Sequence, residues 1–303
     1  MTRTVLILGA SGRFGRHAAD AFWNAGWTVR RFNRKTDDLD ISAQGADVIV
    51  NGWNPPGYDQ WAAELLPMTE RVISAARSSG ATVLQPANLY VYGTDAPRHW
   101  TAETPHAATN PLGKLRIQME AAYAASGVQT LLLRAGDFLD DAPSGNWFDR
   151  VIAPKAAKGR LSYPGDLDAP HVWAWLPDLG RAAVLLAEMR EHLGRFEDIL
   201  YPGYCFSAND LADATSAVVG RPVQVKRMSW LPIQLSRPVW PLAKHLLEMR
   251  YLWSLPHEVV DRRLHELVPD FEETPIEDAL RSALKHQIHP DQPMAGGTVS
   301  AVA

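Results

Sequence analysis

Apolar positions along the chain alternate between two periods. Val5-Leu6-Ile7-Leu8 is an unbroken apolar run, which suits a strand buried on both faces. Beyond a glycine-rich stretch, Phe14, Ala18, Ala21, Phe22 and Ala25 recur at helical spacing, and Gly26 stops that helix. Residues 28–32, 47–50 and 82–85 read as further strands, with a helix over 64–78 between the last two. Leu112, Leu115, Met119 and Tyr123 mark another helix ending near Gly127, and residues 130–134 form the next strand. Helix and strand alternate once more over residues 178–200. Such alternation predicts a parallel sheet with crossover helices, a doubly wound α/β core.

Two segments break the rhythm. Residues 137–175 are rich in Gly, Pro, Asp and Trp, which predicts short elements only, and from Ser207 the pattern turns largely helical. Thr274-Pro275-Ile276-Glu277 joins a capping box to a proline at the first helical position. The chain therefore divides into a nucleotide-binding core (1–136), substrate-side loops (137–175), a returning helix and strand of the core (176–203), a smaller, mainly helical C-terminal lobe (204–289) and a flexible tail (290–303). No repeat at a fixed period is present.

With 303 residues, area scaling buries about three-quarters of the chain surface, enough for a core without covalent staples. A net charge of -4 and the lack of a basic run argue against nucleic acid as a partner. Cys205 is the only cysteine, so no intrachain disulfide can form. No run approaches the roughly 20 apolar residues of a membrane span, and the first residues lack a signal pattern. These features predict a cytoplasmic protein, monomeric or homodimeric, with neither membrane nor nucleic acid as partner. Tryptophan is unusually frequent, 11 residues against 8 each of Tyr and Phe.

Gly9-Ala10-Ser11-Gly12-Arg13-Phe14-Gly15 follows the first strand and opens the first helix. Glycines there permit a tight turn and close backbone approach, and the helix N-terminus offers N–H groups to a pyrophosphate. NAD-specific sites carry an acid at the end of strand two, but Arg30-Arg31-Phe32-Asn33-Arg34-Lys35 has none. Arg34 and Arg13 instead suit a ribose 2′-phosphate, favouring NADP(H) over NAD(H). A solvated basic edge is the alternative.

Further motifs add to the glycine turn. They are Asp40-Ile41, Asn51-Gly52-Trp53, Val91-Tyr92-Gly93, Arg134-Ala135-Gly136-Asp137-Phe138 and Leu176-Pro177-Asp178. With them, residues 3–220 resemble the extended and atypical short-chain dehydrogenase/reductases, the NAD-dependent epimerase/dehydratase family. The resemblance implies a Rossmann fold, an adenine contact at Asp40 and Ile41, and cofactor contacts at Asn51, Gly52 and Trp53. That family works with a Ser or Thr and a Tyr-x-x-x-Lys pair; the matching positions here are Asn88, Leu112 and Arg116. Leucine transfers no proton, whereas Arg116 can still grip ribose hydroxyls. Pro86-Ala87-Asn88-Leu89-Tyr90, Gly113-Lys114-Leu115-Arg116 and Glu248-Met249-Arg250-Tyr251-Leu252-Trp253 resemble a branch with the same departures.

Candidates to replace the tyrosine are Asp137, Tyr92 and Asn88. Asp137 lies just past a strand's C-terminal end, where open α/β sheets bind ligands. It is either a proton-transferring acid or a loop cap, Tyr92 either a site residue or a packing residue, and Asn88 a hydrogen-bond donor to a substrate oxygen. His171 is either an acid or a buried ring. His286 and His289 have no partners at metal-site spacing, so no metal is expected. Trp53, Trp147, Trp173, Trp175, Trp230 and Trp253 suit either lobe core or a pocket for a flat or hydrophobic ligand. The resulting expectation is an NADP(H)-dependent oxidoreductase or epimerase/dehydratase-like enzyme acting on a small organic molecule without the usual tyrosine. The alternative is a non-catalytic NADP(H)-binding sensor or scaffold.

Overall fold

A computed structural model describes residues 3–288; the tail at 290–303 and His289 lie outside the described residues. Along the chain the first elements are β1 (Thr4–Leu8), α1 (Arg13–Asn24), β2 (Thr28–Phe32), α2 (Leu39–Ala43) and β3 (Val48–Asn51). They are followed by α3 (Trp61–Ser79), β4 (Thr82–Ala87), β5 (His99–Trp100), α4 (Pro111–Ala125) and β6 (Thr130–Arg134). Next come β7 (Asp137–Leu139), β8 (Arg160–Tyr163), β9 (His171–Trp175), α5 (Leu176–Met189) and β10 (Phe196–Leu200). The remainder is β11 (Tyr204–Phe206), α6 (Ala208–Val219), β12 (Gln224–Arg227), α7 (Leu231–Ser236), α8 (Pro241–Met249), β13 (Glu258–Val259), α9 (Arg263–Leu267) and α10 (Ile276–Ile288).

Six parallel strands form the central sheet in the order β10-β6-β4-β3-β1-β2. Alternation along each strand feeds two cores. Val5 and Ile7 face α1 and α5, packing with Phe14, Phe22 and Leu179. Leu6 and Leu8 face α3 and α4, packing with Leu65, Ile73, Met119 and Tyr123. Because β2 and β3 flank β1, the chain reverses direction across the sheet there, and the C-terminal ends of β1 and β3 bound the crevice. The doubly wound α/β core is thus present with the strands at the expected places. α3 starts at Trp61, before the expected residue 64, because Trp61 and Leu65 together seat its first turn in the core.

A third core lies in the smaller lobe, where Leu139, Tyr163, Trp173, Leu211, Trp253 and Leu280 pack together. Its framework is the sheet β11-β9-β7 and the pair β12-β8. α6 is closed by a capping box in which Ser207 and Asp210 each accept the other's backbone N–H. The C-terminal third is not helices alone: β12 pairs with β8 and β13 with β5. Leu264 of α9, with Val268 and Phe271 beyond it, joins the core beneath α1 and α5. Among the described residues no helix is long and apolar enough to cross a membrane.

Candidate functional site

Three pieces of backbone meet in the crevice. Gly9 has φ +73°, and the Gly12 N–H donates to its carbonyl at 2.8 Å. A Cβ on Gly15 would lie 2.1 Å from the Gly9 oxygen, and one on Gly52 would lie 2.7 Å from the Leu8 oxygen. Only glycine permits this cradle, and the first turn of α1 above it carries no acid. Ser11, Gly12 and Arg13 are exposed over the turn, whereas Phe14 is buried behind it. A pyrophosphate fits this arrangement.

Around the cradle the predicted residues divide. Ile41 of α2 is 75% exposed, an apolar surface open beside the crevice strands, and Asp40 is exposed next to it. Asn51 is internal: its Nδ2 donates to Gln85 Oε1 at 2.7 Å and to the Tyr123 hydroxyl at 3.0 Å, and its Oδ1 accepts from the Trp53 N–H. It braces the strand ends. Trp53 is half-buried, edge-on to Phe32 at 5.1 Å.

The two arginines assigned to one phosphate have different surroundings. Arg34 is exposed in the turn after β2, but Arg13 donates to the carbonyls of Ser144 and Gly145 at 3.0 and 2.8 Å. Arg13 is therefore tied to the loop after β7, because those carbonyls lie within its reach. An acid also returns to the end of β2. Asp37 accepts from the Asn33 N–H and the Thr36 hydroxyl, both at 2.8 Å, and these bonds hold its carboxyl below the usual range. It lies two residues past Lys35, the end of the acid-free hexapeptide.

On α4, Leu112 is buried, and its N–H donates to Glu248 Oε1 at 2.7 Å. Arg116, one turn on, lies 4.1 Å over the Trp61 ring and donates to Asn54 Oδ1 at 2.8 Å. Its Nε is buried without a partner among the described residues, and burial lowers its pKa.

The groups with acid–base capacity gather at a second point. Asp137 begins β7 and His171 begins β9, and Asp137 Oδ2 meets His171 Nε2 at 2.9 Å. The imidazole stacks on Trp253 at 4.5 Å and 4°. Its Nδ1 is buried without a partner among the described residues. An unpaired lone pair is tolerated there better than an unpaired N–H, so the proton belongs on Nε2, facing the carboxylate. His257 stands edge-on to His171 at 4.6 Å and stacks on Trp100 at 4.4 Å; burial pushes its pKa down to about 3.

Tyr58, Tyr90, Asp137, Trp147, Met249 and Trp253 line a cleft of about 20 Å³, room for one water. The Tyr58 and Tyr90 hydroxyls hydrogen-bond at 2.7 Å, and burial raises the pKa of both. Asn88 caps the 3₁₀ turn Leu89–Val91, accepting from the Tyr90 N–H at 3.1 Å. That turn sends Tyr90 to the cleft and Tyr92 into the core, where it packs 4.3 Å from Trp100 with its hydroxyl unpartnered. Tyr92 therefore does not meet Asp137; Tyr90 is the tyrosine beside it. A roomier hollow, about 560 Å³, runs along β8 and β12 by Lys155, Arg160 and Lys226, away from these groups.

Two further clusters have the make-up of metal ligands, His17–Asp140–Asp141 and His106–Glu120–Asp198. In each, an arginine already supplies the positive charge. Arg16 pairs with Asp140 and Asp141, and Arg134 pairs with Glu120 and Asp198. Burial pushes the Asp140 carboxyl up, but hydrogen bonds from His17 and Ser144, with the His17 and Arg16 charges, hold it down at about 2.

The fold is shared with solved structures of nucleoside-diphosphate-sugar epimerases and of a dTDP-4-dehydrorhamnose reductase ortholog. MoeE5 in complex with UDP-glucose and NAD has a TM-score of 0.73 at 16% identity, over 94% of this chain and 98% of that one. UDP-glucose 4-epimerase from Bifidobacterium longum, in complex with NAD+ and UDP, has 0.67 at 15% identity, over 95% and 99%. A dTDP-4-dehydrorhamnose reductase ortholog from Clostridium acetobutylicum has 0.69 at 16%, over 94% and 99%. No protein-family model and no curated protein matches the sequence.

Proposed function

We propose that the protein is an NADP(H)-dependent oxidoreductase or epimerase/dehydratase-like enzyme for a small organic substrate, with Asp137 moving the proton in place of a tyrosine. The observation that carries this reading is the Asp137–His171 pair at 2.9 Å, at the mouth of a tyrosine- and tryptophan-lined cleft. Asp137 is 33% exposed while His171 is 3% exposed, so the histidine orients the carboxylate from behind and the carboxylate meets substrate.

Gly9, Gly12, Gly15 and the N-terminus of α1 would hold the pyrophosphate, Ile41 the adenine, and Arg116 the nicotinamide ribose. Structures of the same fold bind NAD together with a UDP-sugar or UDP, which supports a nicotinamide dinucleotide here. Arg34, exposed beyond β2, supports the 2′-phosphate form. The dinucleotide, when bound, supplies hydride transfer. Asp137 then accepts the proton of a substrate hydroxyl, and the Tyr58–Tyr90 pair donates a hydrogen bond to the substrate oxygen.

Asp137→Asn should keep the fold and the cofactor affinity yet lower turnover of a screened alcohol or carbonyl substrate by about 10²–10⁴-fold. Nicotinamide absorbance reads this, and a fully active variant removes Asp137 from the mechanism. A second reading, a non-catalytic NADP(H) sensor or scaffold, is favoured by one observation: the cleft holds only about 20 Å³. Cofactor binding with no turnover of any screened substrate, together with redox-dependent capture of a protein partner, would establish that reading instead.

A further inference from the structure

We infer that α7 and the turn into α8 form a docking surface for an anionic lipid membrane. Leu231 and Leu235 lie one helical turn apart on α7, 57% and 71% exposed, and Val239 and Trp240 follow at 84% and 40%. The described residues include seven exposed large apolar side chains, and four of them fall in this short stretch. Scattered exposed apolar residues are ordinary, but a contiguous group marks a contact surface.

Charge identifies the occupant. Residues 214–247 contain Arg221, Lys226, Arg227, Arg237 and Lys244 and no Asp or Glu, in a chain with 34 acidic residues against 30 basic ones. Arg227 is held by Asp166 at 2.8 Å, whereas Arg237 and Lys244 are exposed beside the apolar group. Exposed Leu, Val and Trp bordered by Arg and Lys form the composition of an interfacial segment, which inserts apolar side chains among headgroups and sets its cations against lipid phosphates. A two-fold dimer through this patch would set the same cations against each other. The expectation of no membrane partner rested on the lack of a spanning run, and peripheral docking requires no such run. α8, directly after the patch, also brings Leu246 and Met249 to the cleft, so docking and cleft access share one helix.

Co-sedimentation of the full chain with phosphatidylcholine vesicles, and with vesicles of phosphatidylcholine and phosphatidylglycerol in equal parts, tests the proposal. The protein should partition onto the anionic vesicles alone, and less as salt rises. Arg237→Gln and Lys244→Gln should each lower the partition coefficient about fivefold. Leu235→Glu combined with Val239→Glu should abolish binding without changing the circular dichroism spectrum, since both side chains are exposed. Failure to bind anionic vesicles, or undiminished binding by the double variant, would overturn the proposal. So would light scattering that shows a dimer which the double variant dissolves, because the face would then join two copies of the chain.

Discussion

Arg134 and Glu120 meet fork to fork in the interior, with Nη1–Oε1 and Nη2–Oε2 distances of 3.0 and 2.8 Å. The same guanidinium reaches Asp198 at 2.7 and 3.1 Å and the Asn88 carbonyl at 2.6 Å, so it ties β6, α4 and β10 to the turn that presents Tyr90. Burial opposes the charge on Arg134, but Glu120 and Asp198 more than offset this and raise its pKa. Glu120→Ala would strip the fork from the buried guanidinium and leave Asp198 as its carboxylate partner, and should cost about 1.5–3 kcal/mol, read by urea unfolding. A variant within ~1 kcal/mol of the parent would show that Asp198 alone satisfies the arginine.

Acid should destabilise the protein through His257. Its folded-state pKa is about 3, against an ordinary value of 6.5, so between these pH values the unfolded chain binds the extra proton. Stability from this group is complete above pH 6.5 and falls as the pH drops towards 3. The loss should reach about 3 kcal/mol by pH 4. His257→Gln should flatten that part of the profile, whatever its effect at neutral pH. An unchanged slope in urea midpoints between pH 6.5 and 4 would contradict the assignment.

Arg116 and Leu112 share one face of α4 but should fail differently. Arg116→Ala removes the group set over Trp61 and bonded to Asn54, and should weaken NADP(H) binding in calorimetric titration. Leu112→Ala should leave that affinity nearly unchanged and cost about 2–5 kcal/mol of stability. Equal affinity for Arg116→Ala and the parent would remove this arginine from the cofactor site.

Gly15→Ala tests the cradle itself. The added methyl would sit 2.1 Å from the Gly9 carbonyl oxygen, so the turn must open. Dinucleotide affinity should drop sharply while stability falls by about 1–3 kcal/mol. Normal binding by this variant would place the cofactor elsewhere.

The proposed preference for NADP(H) rests on Arg34. Arg34→Ala should weaken NADP(H) and leave NAD(H) nearly untouched, by about 1.5–3 kcal/mol for the lost charge-assisted bonds. Equal affinity of the parent for both cofactors would sink the assignment, and Asp37 would then be the residue to test at the ribose.

The core was legible because a doubly covered strand must be apolar throughout, as Val5-Leu6-Ile7-Leu8 and Leu131-Leu132-Leu133 are. The glycine turn was legible because its residue type and its place between strand and helix are both local. The cleft was not. Tyr58, Tyr90, Asp137 and Trp253 come from separate parts of the chain, and no spacing links His171 to the tryptophan on which it stacks. The resemblance points to Tyr92 through Val91-Tyr92-Gly93, whereas the 3₁₀ turn Leu89–Val91 that sends Tyr90 to the cleft leaves no signal in residue spacing. Asp37 escaped because its return to Asn33 depends on the path of a turn.

Leu264, Val268 and Phe271 have a consequence for how the molecule melts. They come from the far end of the chain, yet they complete the core under α1 and α5. Ending the chain at residue 260 would leave the half built on the six-stranded sheet with a bare apolar flank. The two lobes should accordingly absorb heat in one calorimetric peak, and a protease cut near α9 should release no free-standing fragment that keeps the six-stranded sheet folded.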